Sequence, residues 1–291
     1  MSSTVSAAPY FGVDIDLYDV AIDVRVNDIP VYFDTKKGQL TVEVPAPDSI
    51  IDGANTLSLI TRFPENPEDN YNLVQAYQEG AYVSATLFRQ DGESAKINLA
   101  SVLVKFTPDG IELAETQNYL TNEKSNPEVV LSKDGEVLLK ESVDIKSPFP
   151  RWAWQDGKNI ENNQENYNSL IEVYRDIHSA MAAKDVNKVE KLYSQRAKET
   201  AIAYSLSGEK EGHNKISTGK DMVNDKLNLY QFRTDFKDNR LDVFANGKMA
   251  RILIDIRRRQ PILFIEPAAR LNHFHKFSFY LNNDNQWVMI R

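Results

Sequence analysis

The chain has no cysteine. That excludes disulfides, thiolate nucleophiles and Cys-ligated zinc, and it leaves the redox compartment open. Histidine is scarce, with four in 291 residues. No apolar run approaches the roughly 20 residues that a membrane helix needs. The first residues, MSSTVSAAPYFGVDIDLYD, carry no basic head and no long apolar stretch, so no secretory signal is read there. The expectation is a cytoplasmic protein with no membrane partner.

Catalytic signatures are missing too. There is no His-Glu-x-x-His and no Gly-x-Ser-x-Gly. ISTGK at 216–220 lacks the Gly-x-x-x-x-Gly-Lys-Ser/Thr order of a phosphate loop and reads as a turn. Asp14, Asp16 and Asp19 lack the glycine and distal glutamate of a calcium loop and read as a solvated strand edge. No cofactor and no metal are expected.

What is present is ordinary globular material, 42% apolar and 26% charged. The net charge of −8 is unevenly spread: residues 1–150 carry −13 and residues 151–291 carry +5. The back half is too weakly basic for a nucleic-acid footprint, so nucleic acid is not expected as a partner.

The front half alternates with a period of two. Tyr18, Val20, Ile22, Val24 and Val26 interleave with polar residues, and Asn27-Asp28 turns into Ile29–Phe33. Leu40, Val42 and Val44 follow, stopped by Pro45 and Pro47. Further strands are predicted at Tyr82–Phe88, Ala95–Phe106, Ile111–Ala114 and Val137–Ile145, separated by Asp-Gly turns at 91–92, 109–110 and 134–135. Many short strands with regular turns predict an all-β sandwich over 1–148. Within it, VEVPAPDSIIDGANTLSLI resembles a turn of jelly-roll, galactose-binding-like domains, in which Gly53 and Asn55 lead into a core strand. The resemblance covers about twenty residues and implies no ligand.

SPFPRWAWQDGKNIENNQENY reads as the junction, with a linker over 149–166. Trp152 and Trp154 share parity there. They read as an apolar plug, or, if exposed, as a stacking platform for carbohydrate or protein.

After the junction the spacing becomes helical. Tyr167, Leu170, Ile171, Tyr174, Ile177 and Met181 mark one helix. Asp185 caps a second, with Val189, Leu192 and Tyr193. A polar loop over 206–220 and a short helix near Asp221–Tyr230 are predicted next. Strands then follow at Leu241–Phe244, Met249–Ile256, Pro261–Ile265, His273–Leu281 and Gln286–Arg291, with a hairpin at Asn246-Gly247. The two helices and the closing hairpin KFSFYLNNDNQWVMIR resemble the nuclear transport factor 2-like superfamily. That implies a cone-shaped α+β domain over 167–291, a helix pair on a curved antiparallel sheet. It also implies pairing through the open sheet face as a homodimer. The superfamily holds enzymes and binders alike, so the fold fixes little of the function.

In the closing strand His273 and His275 share parity with Phe277 and Phe279. That face would line a cone's pocket, with Tyr174 and Arg258 beside it. A metal needs a third ligand, and no third His or carboxylate shows a recognisable spacing. Glu172 and Asp176, the nearest acids on the helices, are expected to face solvent. The histidines therefore read as hydrogen-bonded polar groups. Arg257 and Arg259 point opposite to Arg258 and are candidates for an interface, because arginine pairs bidentately with carboxylates.

Together these features predict a non-catalytic, two-domain binding protein that acts on a protein partner, for example a bacterial immunity or adaptor protein that neutralises it. The alternatives are an enzyme using His273 or His275 with Arg258, and a carbohydrate binder using Trp152 or Trp154.

Overall fold

The structure, a computed structural model, describes residues 8–291. The chain is sheet-rich with three α-helices among the described residues, and it divides between Arg151 and Trp152 into two compact units.

The first unit is built of β1 (Tyr10–Tyr18), β2 (Ala21–Val26), β3 (Ile29–Asp34), β4 (Gln39–Pro45), β5 (Gly53–Arg62), β6 (Glu65–Asn66), β7 (Asn72–Leu73), β8 (Tyr82–Gln90), β9 (Ile97–Thr107), β10 (Gly110–Asn118), β11 (Glu123–Ser125) and β12 (Leu138–Ile145). One sheet has the order β11-β10-β9-β8-β1-β4 and another β12-β5-β2-β3; β6 and β7 form a small ladder. β12 lies against β9 and β10 across the core. Alternation explains the burial. In β1, Phe11, Val13, Ile15 and Leu17 are buried while Asp14 and Asp16 are not.

Tyr18–Val26 is not one strand: Asp19 takes a left-handed φ of 54°, which ends β1 before β2 starts. Nor are Asp14 and Asp16 at a sheet edge, because β1 lies between β8 and β4. Asp16 accepts hydrogen bonds from the Thr41 hydroxyl (2.8 Å) and the Tyr82 hydroxyl (2.9 Å), and Asp14 pairs with Lys96 at 2.8 Å.

The turns follow from their residues. Asn27 and Asp28 both have positive φ, and Val26 pairs with Ile29, which makes a two-residue hairpin loop. Buried Asn55 ties this loop to its own turn. Its Oδ1 accepts from Asn27 Nδ2 (2.7 Å) and Ile51 N (2.9 Å), and its Nδ2 donates to the carbonyls of Ile51 and Gly53. Its polar groups are spent on turn geometry.

The second unit contains α1 (Gln164–Ala182), α2 (Val186–Ala203), α3 (Glu209–Lys215), β13 (Asn228–Leu229), β14 (Arg240–Phe244), β15 (Met249–Leu253), β16 (Leu263–Glu266), β17 (Leu271–Phe274), β18 (Phe279–Leu281) and β19 (Trp287–Met289). Asn163 caps α1 by accepting from Asn166 N, and Asp185 caps α2 by accepting from Lys188 N. Leu170, Ile171, Tyr174, Ile177 and Met181 are the buried face of α1. The sheets have the orders β13-β16-β17 and β14-β15-β18-β19. No described helix is long and apolar enough to cross a membrane.

The helix prediction after α2 is displaced. α3 forms inside the segment read as a polar loop, while Asp221–Val223 is a single 3-10 turn. α3 depends on a close approach to α2: a Cβ added at Gly212 would lie 1.9 Å from the Ala197 carbonyl oxygen. The segment read as a linker also carries buried side chains. Phe149 meets Phe11 edge to face at 5.9 Å, and α1 begins at Gln164.

Candidate functional site

The predicted strand His273–Leu281 is two strands in two sheets. β17 pairs with β16 and β18 pairs with β15 and β19. The chain crosses between them over residues 275–278. His275 N donates to the Ile262 carbonyl (3.0 Å), and Phe277 N donates to Gln260 Oε1 (2.8 Å). Parity does not carry across this break, and of the two histidines only His275 has a side-chain hydrogen bond, whereas His273 Nε2 has none. His273 Nε2 lies 3.7 Å from Glu266 Oε2, with 39% of its side chain exposed. His275 Nε2 lies 3.1 Å from Asp221 Oδ2, on the 3-10 turn, and the ring packs on Phe264 and Phe277.

Burial pushes the His275 imidazole below its ordinary pKa. The Asp221 carboxylate pulls the other way, while Arg196 and His273 add to the lowering. The result is a neutral ring with one nitrogen on a carboxylate. No spacing pointed to Asp221, which lies 54 residues away. Glu172 and Asp176 are exposed.

Tyr174 is fully buried. Its hydroxyl donates to Gln260 Oε1 (2.6 Å), and Ile252 N donates to it at 3.3 Å. Gln260 Nε2 donates to the Phe277 carbonyl (3.0 Å). The ring lies 5.8 Å from Phe277 and 5.3 Å from Phe279. Burial raises the pKa of both Tyr174 and Tyr193, so neither phenol ionises near neutrality. Tyr174 thus packs in the core instead of lining an open cone. Gln260 is the residue that sequence reasoning missed here. It ties α1 to the crossover, and a lone glutamine after three arginines gives no local sign of that.

The arginines occupy a tight loop beyond β15. The strand stops at Leu253, and Ile254 N donates to the Arg259 carbonyl (2.9 Å) to close the loop. Arg258 sits at φ 57° inside it, so it does not continue the parity of Ile252 and Ile254. Arg259 bonds Asp255 and lies 5.1 Å over the Phe274 ring, while Arg257 is exposed. Trp152 and Trp154 are 1% and 5% exposed. Neither offers a stacking face to solvent, which removes the carbohydrate platform placed on them.

An open groove of about 970 Å³ runs between α1, α2 and β19. Val173, Leu192, Trp287 and Val288 supply its half-buried apolar lining, and Lys188 and Lys191 stand on its helix side. Trp287 is fixed by a 2.9 Å hydrogen bond from its indole N–H to Ser169 Oγ. The groove combines side chains from three elements, so no single stretch of sequence announces it. Among the described residues no group of three or more His, Asp or Glu could hold a metal ion. Comparison with protein-family models, with curated proteins and with solved structures finds no match.

Proposed function

We propose that the chain is a non-catalytic binding protein that works by contact with another protein. In this reading the first unit is a β-sandwich and the second a cone-shaped α+β module of the nuclear transport factor 2-like kind. An immunity or adaptor protein that neutralises its partner is one form of it. The observation that carries the reading is the contrast between two spaces in the second unit. Tyr174, Gln260, Phe277 and Phe279 pack together in the core, while the groove beside β19 stays open. Closed, hydrogen-bonded cores do not admit substrates; open apolar grooves with a polar rim are where proteins meet.

The test is a photo-cross-linking residue placed at Val288 in one sample and at exposed Lys133 in another. Each is used on lysate of the native host at about 0.15 M salt, where long-range charge effects are screened. One protein partner joined at position 288 and not at 133 is the expected result. Equal yields, or none at either, count against the reading.

One observation favours an enzyme instead. A neutral imidazole held by a carboxylate, as in His275–Asp221, is the arrangement of a general base. A small-molecule panel read by melting shift tests it. A hit lost in His275→Ala supports catalysis; hits unaffected by that change, or none, leave the binding reading in place.

A further inference from the structure

Among the described residues β19 ends its sheet, with β18 on one side and no strand on the other. The register fixes which backbone groups are spent. Tyr280 pairs with Val288, Asn282 N donates to the Gln286 carbonyl, and Ile290 N donates to the Ser278 carbonyl. Hydrogen-bonding alternates along an antiparallel ladder. Residues 286, 288 and 290 therefore turn their backbone groups toward β18, and Trp287 and Met289 turn theirs away. Among the described residues nothing bonds to the backbone N–H or C=O of Trp287 or Met289. The groove lies along this edge, lined by five consecutive residues from Asn285 to Met289. Side chains of both faces line it, as expected of a strand seen edge-on. Leu192, Lys188 and Lys191 of α2 line the same groove, and neither lysine has a carboxylate partner among the described residues. Among the described residues Asp176 is the single carboxylate on the lining.

We propose that the free edge of β19 receives an extended, acidic peptide segment of a partner protein as an added strand. This rests on the binding reading above and names the partner's chemistry. The edge supplies two N–H donors and two C=O acceptors in strand register, which only an extended backbone matches. Alternate side chains of such a strand point to opposite faces, so apolar residues fall on Leu192 and Val173 while an acidic residue meets the lysines. Charge of the opposite sign on the helix side sets the preference for Asp or Glu over Lys or Arg.

A phage-displayed library of random heptapeptides, panned on the full chain at about 0.15 M salt, is the probe. Enriched peptides are expected to alternate apolar residues with at least one Asp or Glu. Bound peptide is expected to slow amide exchange at Trp287 and Met289 by about tenfold or more while leaving Val288, already bonded to Tyr280, unchanged. Lys188→Glu with Lys191→Glu, both exposed, is expected to weaken binding about tenfold or more. Peptides that bind, and are lost in Leu192→Asp, yet leave the Trp287 and Met289 amides unprotected overturn strand addition and leave the binding reading intact. A library that yields no retained peptide also overturns strand addition, and the cross-linking at Val288 then decides the binding reading alone. Edge protection by a peptide, with no partner cross-linked, supports strand addition and sinks the reading that a host protein occupies it.

Discussion

His275 shows how one half-buried imidazole couples the second unit to pH. Burial outweighs Asp221, so the folded pKa lies below the unfolded value near 6.5. As pH falls, the unfolded chain takes up a proton that the folded chain still refuses. The stability this group contributes is complete above about pH 6.5 and is lost as pH drops toward and through the folded pKa. The melting temperature of the wild type should therefore fall toward that of His275→Phe between about pH 7 and about pH 5. Melting curves of both proteins across that range measure the gap; a constant gap would mean that His275 does not titrate as argued. The histidine itself was visible in the sequence as a polar residue among apolar ones. Its partner was not, because the 3-10 turn that delivers Asp221 is set by tertiary packing and not by a local pattern.

Elements with a strong period were the legible ones. α1 and α2 announce themselves by apolar spacing, and α2 also by its capping side chain Asp185; the cap of α1, Asn163, lies in the stretch read as a linker. α3 does not, because EKEGHNK has no apolar stripe. It is held by docking on α2 through Gly212, where any side chain meets the Ala197 carbonyl. Gly212→Ala should overpack this contact and cost about 1–3 kcal/mol. Amide exchange should rise across Glu209–Lys215 and stay unchanged in α1; denaturant unfolding and exchange together check both parts. Unchanged exchange in α3 would mean that the helix tolerates the added methyl by shifting as a body. The stretch 271–281 failed for a different reason. Its residues alternate only in the sequence, because Gln260 takes the backbone of Phe277 and hands the chain from one sheet to the next. A period of two cannot reveal a change of sheet.

At the scale of the molecule, the two-part division was legible because the period changes from two to 3.6 near the junction. Strand order was not, since it depends on partners far apart in sequence. β1 pairs with β4 and β8, and β5 pairs with β2 and β12. A chain ending at Arg151 retains every described pairing of β1 to β12 and should melt cooperatively. A chain ending at Gly135 lacks β12, leaves one side of β5 bare and should lose that cooperativity. Circular dichroism melts of the two fragments distinguish them; a cooperative shorter fragment would show that β12 is dispensable.

The pairing of β5 with β12 also sets a clock during synthesis. Arg62 ends β5 and Leu138 begins β12, so roughly 75 residues must still be made before the second neighbour exists. At about 5–20 residues per second that is about 4–15 s. Throughout that interval a nascent strand carrying Leu57 and Leu59 presents an unfilled edge to the crowded exit of the ribosome. The first unit thus passes through a window of vulnerability whose length is written into its strand order, and slower translation widens it.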